Sequence, residues 1–224
     1  MTDETLVAPD GHTLAAHVLA PPGARHGLVV VQEIFGVNSH IRNVCARFAA
    51  RGYAVVAPAL FDRVERGVSL GYTAEDVARG RELRGRVEDR GTMSDIDAAA
   101  ARLSALVGGG RIGIVGYCWG GTVSWWGATK TRHFAAASCW YGGGIAATRE
   151  AAPHCPVQMH FGELDTSIPM TDVEAIRDAR PEVEIYVYDG AQHGFGCDER
   201  GSYSAPDAKL AQERTLEFFA RHLA

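Results

Sequence analysis

The sequence predicts an α/β fold: an open, mostly parallel sheet with helices on both faces and an N-terminal hairpin at one edge. Three observations carry that prediction. Short β-branched runs alternate with segments of helical periodicity along all 224 residues. The main apolar runs are continuous, as in strands covered on both faces. Reactive and polar residues stand directly after those runs, where an open parallel sheet gathers its site. No repeat, low-complexity segment or linker divides the chain, so one domain over 1–224 is expected.

Residues 5–19 read as the hairpin, with Leu6-Val7 and Leu14 to Leu19 flanking the turn dipeptide Asp10-Gly11. Residues 27–31 are a buried strand that runs into Gln32-Glu33-Ile34-Phe35-Gly36, a carboxylate placed immediately after a covered strand. Residues 40–50 read as an amphipathic helix with Ile41, Val44, Cys45 and Phe48 inward, and 54–58 as the next strand. The stretch 60–91 is irregular; 74–88 has helical propensity without a clear buried face, and the whole reads as a cap or long connection. A helix is expected over 92–107, with Asp95 and Asp97 in its first turns and Ile96, Ala99, Ala100, Leu103 and Leu106 at helical spacing, ended by Gly108-Gly109-Gly110. Strands follow at 112–115, 134–140, 156–162 and 183–188, and helices at 122–130, 169–179 and 206–222. Gly142-Gly143-Gly144 reads as a flexible turn, because no helix start or lysine follows in the order a phosphate cradle requires.

Hydrophobic content of 46%, charged content of 22% and a formal net charge of −5 describe a soluble protein with no nucleic-acid or acidic-membrane partner. No basic-then-apolar leader and no bilayer-length run is present, so a cytoplasmic protein without membrane association is expected. The five cysteines are scattered and form no C-x-x-C pair, which predicts free thiols in a reducing compartment and no metal. No long exposed apolar patch is evident, so a monomer is expected.

The chemistry begins at Gly116-Tyr117-Cys118-Trp119-Gly120-Gly121. This is a G-x-nucleophile-x-G strand-to-helix elbow with cysteine where serine is usual. Glycines flank the nucleophile because side chains there would collide with the crossing strand and helix. Asp165 follows the next-to-last strand and His193 the last. Nucleophile, acid, histidine is the chain order of the α/β-hydrolase triad. A free thiol is only about 3% ionised at pH 7, so a histidine oriented by an acid is what such a cysteine needs.

With these motifs in view, the chain closely resembles the dienelactone hydrolase (carboxymethylenebutenolidase) family over nearly its full length. The resemblance rests on Gln32-Glu33-Ile34-Phe35-Gly36, the cysteine elbow, Gly162-Glu163-Leu164-Asp165, His193-Gly194-Phe195 and the closing Glu213-Arg214-Thr215-Leu216-Glu217-Phe218-Phe219. It implies a cofactor-free hydrolase of small, anionic lactones or esters in aromatic compound degradation. Cys118 would be the nucleophile, His193 its base and later acid, and Asp165 the group that orients the imidazole. Glu33 would control the protonation of Cys118, taking the thiol proton once substrate displaces it from a cationic partner. The amides of Ile34 and Trp119 would form the oxyanion hole, with Phe35 and Tyr117 beside the substrate.

One departure stands out: the family pattern has an arginine four residues after the histidine, and here that position is Cys197. Arg200, Arg79 and Arg81 are the candidates for binding a substrate carboxylate. A broader carboxylesterase or thioesterase is the second expectation, and a non-catalytic or redox-sensing thiol protein on the same scaffold is the third.

Overall fold

Asp10-Gly11 turns the chain as its composition requires. Gly11 takes φ 85°, a conformation that costs any residue with a Cβ more. Across it, β1 (Thr2–Val7) pairs antiparallel with β2 (Thr13–Leu19), Leu6 opposite Leu14. The computed structural model describes residues 2–224. It groups the chain into two compact units, Met1–Ile114 and Val115–Ala224.

In the first unit β3 (Gly27–Val31) leads through α1 (Ser39–Ala49) to β4 (Ala54–Pro58), which lies parallel to β3 with Leu28 opposite Val55. Strand β2 runs antiparallel to β4, so the order is β1-β2-β4-β3 and the hairpin forms the expected edge. Residues Leu28 to Val31 and Val55 to Ala57 are fully buried. Ile41, Val44, Cys45 and Phe48 face inward from α1, as the periodicity predicts. The helix starts at Asn38, whose side-chain oxygen accepts from the Ile41 amide at 3.2 Å.

The irregular stretch resolves into a 3-10 turn (Leu60–Arg63), an extended strap and α2 (Ala74–Arg86). A reciprocal capping box between Thr73 and Asp76 opens α2. This helix hid from periodicity because it buries only Gly80 and Leu83. Gly80 sits where a Cβ would come within 2.2 Å of the Ile34 carbonyl oxygen, so the helix approaches the loop after β3 at backbone distance.

Helix α3 (Asp89–Val107) begins three residues before the expected start. Gly91 does not break it; the glycine is needed because a Cβ there would lie 2.8 Å from Cδ of Arg63. Arg63 crosses that point to clamp Asp95, Nε to Oδ2 at 2.8 Å and NH2 to Oδ1 at 2.7 Å. Asp95 is therefore a buried partner rather than a first-turn charge; burial raises its carboxyl and Arg63 opposes the rise. Leu106 is half-buried and Val107 takes the core place expected of it. Replacing Arg63 with Ala strands a buried carboxylate, a loss of about 3–5 kcal/mol. Urea unfolding checks this, and an unmoved midpoint would show the pair to be energetically idle. Gly108, at φ 57°, ends the helix in the left-handed conformation.

Strand β5 (Ile112–Tyr117) begins in the first unit and ends in the second. There the order continues β5-β6-β7-β8, with α4 (Trp119–Lys130) leading from β5 to β6 (Ala136–Trp140). β7 (Val157–Gly162) and β8 (Glu184–Tyr188) extend it in parallel, Cys139 opposite Met159 and Met159 opposite Ile185. Trp119 to Ala128 of α4 are buried all round, as an apolar helix with no polar face requires. α5 (Met170–Ala179) follows β7, and α6 (Ala205–Leu223) closes the chain with Pro206 in its first turn.

The Gly142–Gly144 triplet forms the expected turn, with the Ile145 amide donating to the Gly142 carbonyl at 3.3 Å, and the turn is closely packed. A Cβ on Gly142 would stand 2.8 Å from the Thr122 nitrogen, and the Gly144 amide donates to Thr122 Oγ1 at 3.0 Å. The five cysteines are free thiols. Among the described residues no helix is long and apolar enough to cross a membrane.

Candidate active site

The elbow has the geometry its glycines predict. Cys118 takes φ 56° and ψ −116°, a region almost reserved for glycine, so the backbone there stores strain. A Cβ on Gly116 would lie 2.0 Å from the Gly120 carbonyl oxygen and one on Gly121 2.4 Å from that of Trp140. The Cys118 amide donates to the Trp140 carbonyl at 3.0 Å, and the Cys118 carbonyl accepts from Gly121 at 2.9 Å to start α4. Trp119 is the first residue of that helix, and helix geometry gives its amide no intrahelical acceptor. The sulfur is thus held at a helix N-terminus, which favours negative charge.

Asp165 stands in the turn after β7, and its side chain is fully enclosed. One carboxylate oxygen accepts from the Ser167 amide at 2.8 Å and the other meets His193 Nδ1 at 2.7 Å. His193 follows β8; its ring meets the Tyr141 ring edge-on at 5.3 Å. With Nδ1 committed to Asp165, Nε2 is the nitrogen left for the hydrogen bond to Cys118. Burial alone would depress the imidazole. The Cys118 charge, reinforced by hydrogen bonds to Asp165 and Cys118, overturns that effect and raises it to about 10. The three side chains expected from chain order therefore form one connected line, all within the second unit.

Beneath this line lies a second, buried histidine. His160 bonds Tyr188 Oη through Nδ1 at 2.8 Å, and its Nε2 meets Gln158 Oε1 at 2.9 Å and Thr215 Oγ1 at 3.1 Å. Burial lowers it to about 3. Its carbonyl accepts from the amide of Tyr141, which with Cys118 makes up the non-glycine residues at positive φ among the described residues, at 38°. Tyr117 is buried in the adjoining aromatic cluster, 5.1 Å from the Trp140 ring.

In the first unit, Glu33 is fully buried at the end of β3, and Phe35 is buried with its ring 4.6 Å from that of Tyr72. Ile34 is the residue whose carbonyl Gly80 approaches. The strap is stitched to this loop. Gly36 bridges Ser69, the Leu70 amide donates to the Phe35 carbonyl at 2.8 Å, and the Tyr72 hydroxyl donates to Glu33 Oε2 at 3.1 Å. Tyr72 was not legible as a site residue, since it lies in the stretch without periodicity.

The arginines separate by their partners. Arg79 is held in surface ion pairs, to Glu82 at 2.6 Å and to Glu65. Two carboxylates thus already occupy it. Arg81 is exposed on α2. Arg200 folds back onto the histidine loop: a Cβ on Gly194 would lie 2.4 Å from its NH1 and 2.7 Å from Cζ. Glycine at 194 is what admits the guanidinium beside His193. Cys197, at the family's arginine position, is buried.

The chain is similar to known proteins over nearly its full length. The model of the dienelactone hydrolase family matches residues 14–223. A Synechocystis protein provisionally named carboxymethylenebutenolidase is 37% identical, covering 98% of this chain and 97% of its own. The Pseudomonas putida carboxymethylenebutenolidase is 32% identical over 94% of this chain and 92% of its own. A crystal structure from Klebsiella pneumoniae, provisionally titled dienelactone hydrolase, superimposes with a TM-score of 0.82 at 32% identity, covering 98% of both chains. A dienelactone hydrolase-like promiscuous phosphotriesterase from metagenomic libraries reaches a TM-score of 0.80 at 20% identity, which shows the shared fold. With the α/β-hydrolase architecture, the cysteine elbow and this breadth of likeness in agreement, the chain belongs to the dienelactone hydrolase family and is a carboxylic ester hydrolase.

Proposed function

We propose that this enzyme opens a small lactone or ester by attack of Cys118, through an acyl-thioester intermediate. The observation that carries the reading is the Cys118–His193–Asp165 line, with its imidazole held charged well above neutral pH. An imidazolium between a carboxylate and a sulfur at a helix N-terminus is an arrangement suited to a cysteine nucleophile.

The sulfur attacks the carbonyl carbon, and the carbonyl π electrons move onto oxygen. The Trp119 amide stabilises that oxyanion, with the Ile34 amide as the second donor assigned by family resemblance; one donor of this kind is worth about 3–4 kcal/mol of barrier. Collapse breaks the bond to the ester oxygen, and the leaving enolate or alkoxide takes the His193 proton, which leaves the imidazole neutral. Neutral His193 then removes a proton from water, the hydroxide adds to the thioester carbon, and the C–S bond breaks to release the acid. Resemblance assigns Glu33 the control of Cys118 protonation: it takes the thiol proton once substrate displaces it from a cationic partner.

The guanidinium of Arg200, folded against Gly194, supports an anionic substrate such as dienelactone. Cys197 at the family's arginine position supports the broader esterase reading. We further propose a cytoplasmic monomer that needs no cofactor, metal or macromolecular partner. Hydrolysis of cis- and trans-dienelactone compared with p-nitrophenyl acetate separates the two readings. Far faster turnover of a dienelactone would establish the first, and cleavage of the aryl ester alone would leave an esterase of unassigned pathway.

A further inference from the structure

The donors and acceptors around Glu33 can be assigned one after another from the helix start outward. Asn38 Oδ1 accepts the Ile41 amide at 3.2 Å, which fixes the amide group's orientation. Its Nδ2 therefore faces outward, and donates one hydrogen to the Leu70 carbonyl at 3.0 Å and the other to the Tyr72 hydroxyl oxygen at 3.1 Å. Having accepted there, the Tyr72 hydroxyl directs its own hydrogen at Glu33 Oε2, 3.1 Å away. The relay runs in one direction only, from a helix cap to a fully buried carboxylate. The Tyr72 ring is clamped against Phe35, and the bridge between Gly36 and Ser69 holds the strap that carries it. The Tyr72 hydroxyl is thus held by an accepted hydrogen bond from Asn38 while it donates to one oxygen of the Glu33 carboxylate.

We propose that Tyr72 is a positioning residue for hydrolysis: it holds Glu33 in the orientation from which that carboxylate governs the nucleophile. This rests on the role given to Glu33 above. Tyr72 touches no reacting atom in this scheme and acts wholly through Glu33. A buried carboxylate that loses a fixed donor turns to other partners, and the cost appears in the rate rather than in substrate binding.

The test is a double-mutant cycle with Tyr72→Phe and Glu33→Gln, read by kcat and KM on p-nitrophenyl acetate, with thermal melting as the folding control. Tyr72→Phe keeps the ring against Phe35 and removes one oxygen. The expected result is a fall in kcat of roughly tenfold with KM within about twofold of the parent. In the Glu33→Gln background the same substitution should change kcat by less than about twofold, because its route to the site is gone. Independent, multiplying losses would overturn the proposal, as would parent-like kcat in Tyr72→Phe while Glu33→Gln is impaired. If Glu33→Gln itself matches the parent, the role of Glu33 is wrong and that of Tyr72 falls with it. Neither result touches Cys118, whose part is read separately from Cys118→Ala.

Discussion

Cys118→Ala lowers kcat/KM on p-nitrophenyl acetate by at least about a thousandfold, the scale on which a covalent nucleophile's removal is felt. In the proposed mechanism the residue does three things that the structure separates. It supplies the attacking sulfur, it supplies the charge that raises His193 to about 10, and it occupies a strained φ of 56° that presents the side chain from the elbow. Alanine keeps the last and removes the first two. Cys118→Ser is the informative companion. It retains an attacking atom and the elbow but forms no ready anion, so its loss should come from ionisation and be smaller than that of alanine. Steady-state kinetics with active-site titration makes the comparison. An alanine variant as active as the parent would mean that another group attacks, and the cysteine reading would be abandoned.

Asp165→Asn is expected to lower kcat by about ten-thousandfold, as an amide in the place of a triad carboxylate favours the wrong imidazole tautomer. Here the 2.7 Å contact to Nδ1 is also one of the causes that hold His193 charged, so the same substitution should bring the imidazole's titration down from about 10. The sign for stability follows from that shift. A histidine whose folded value lies above its unfolded value of about 6.5 contributes stability that is fully present below that pH. The contribution is then lost as pH rises through about 10. The parent should therefore show a falling urea midpoint between these values, and Asp165→Asn a shallower fall over a lower window. An NMR titration of the His193 ring carbons follows the group directly. An unshifted titration in Asp165→Asn would show that Asp165 does not hold the proton in place.

The second unit was the legible one, for a physical reason. Its β-rich runs are short and well separated, and the proposed catalytic residues lie in the turns directly after three of them: Cys118 after β5, Asp165 after β7, His193 after β8. Where burial pattern and function share a boundary, sequence alone finds both. The strap and α2 have no such boundary. Ser69 to Tyr72 are tied to Gly36, Phe35 and Asn38 by backbone and amide hydrogen bonds, which leave no trace in side-chain periodicity. α3 was misplaced at its start for a related reason, since Gly91 accommodates Arg63, a residue 28 positions earlier in the chain. Arg79 and Arg81 looked equivalent as letters, and only the positions of Glu65 and Glu82 distinguish them.

The buried histidine under the site has a bearing on how the enzyme's kinetics can be read. The backbone of Cys118 hangs from Trp140, and that of the adjoining Tyr141 from His160, whose ring stays neutral down to about pH 3. The footing of the nucleophile is therefore electrically silent over the whole range in which esters can be assayed. Tyr141 touches both histidines, its amide bonded to His160 and its ring against that of His193, yet of the two only His193 titrates above neutral pH. His160 accordingly adds no ionisation of its own to a pH–rate curve taken above about pH 3.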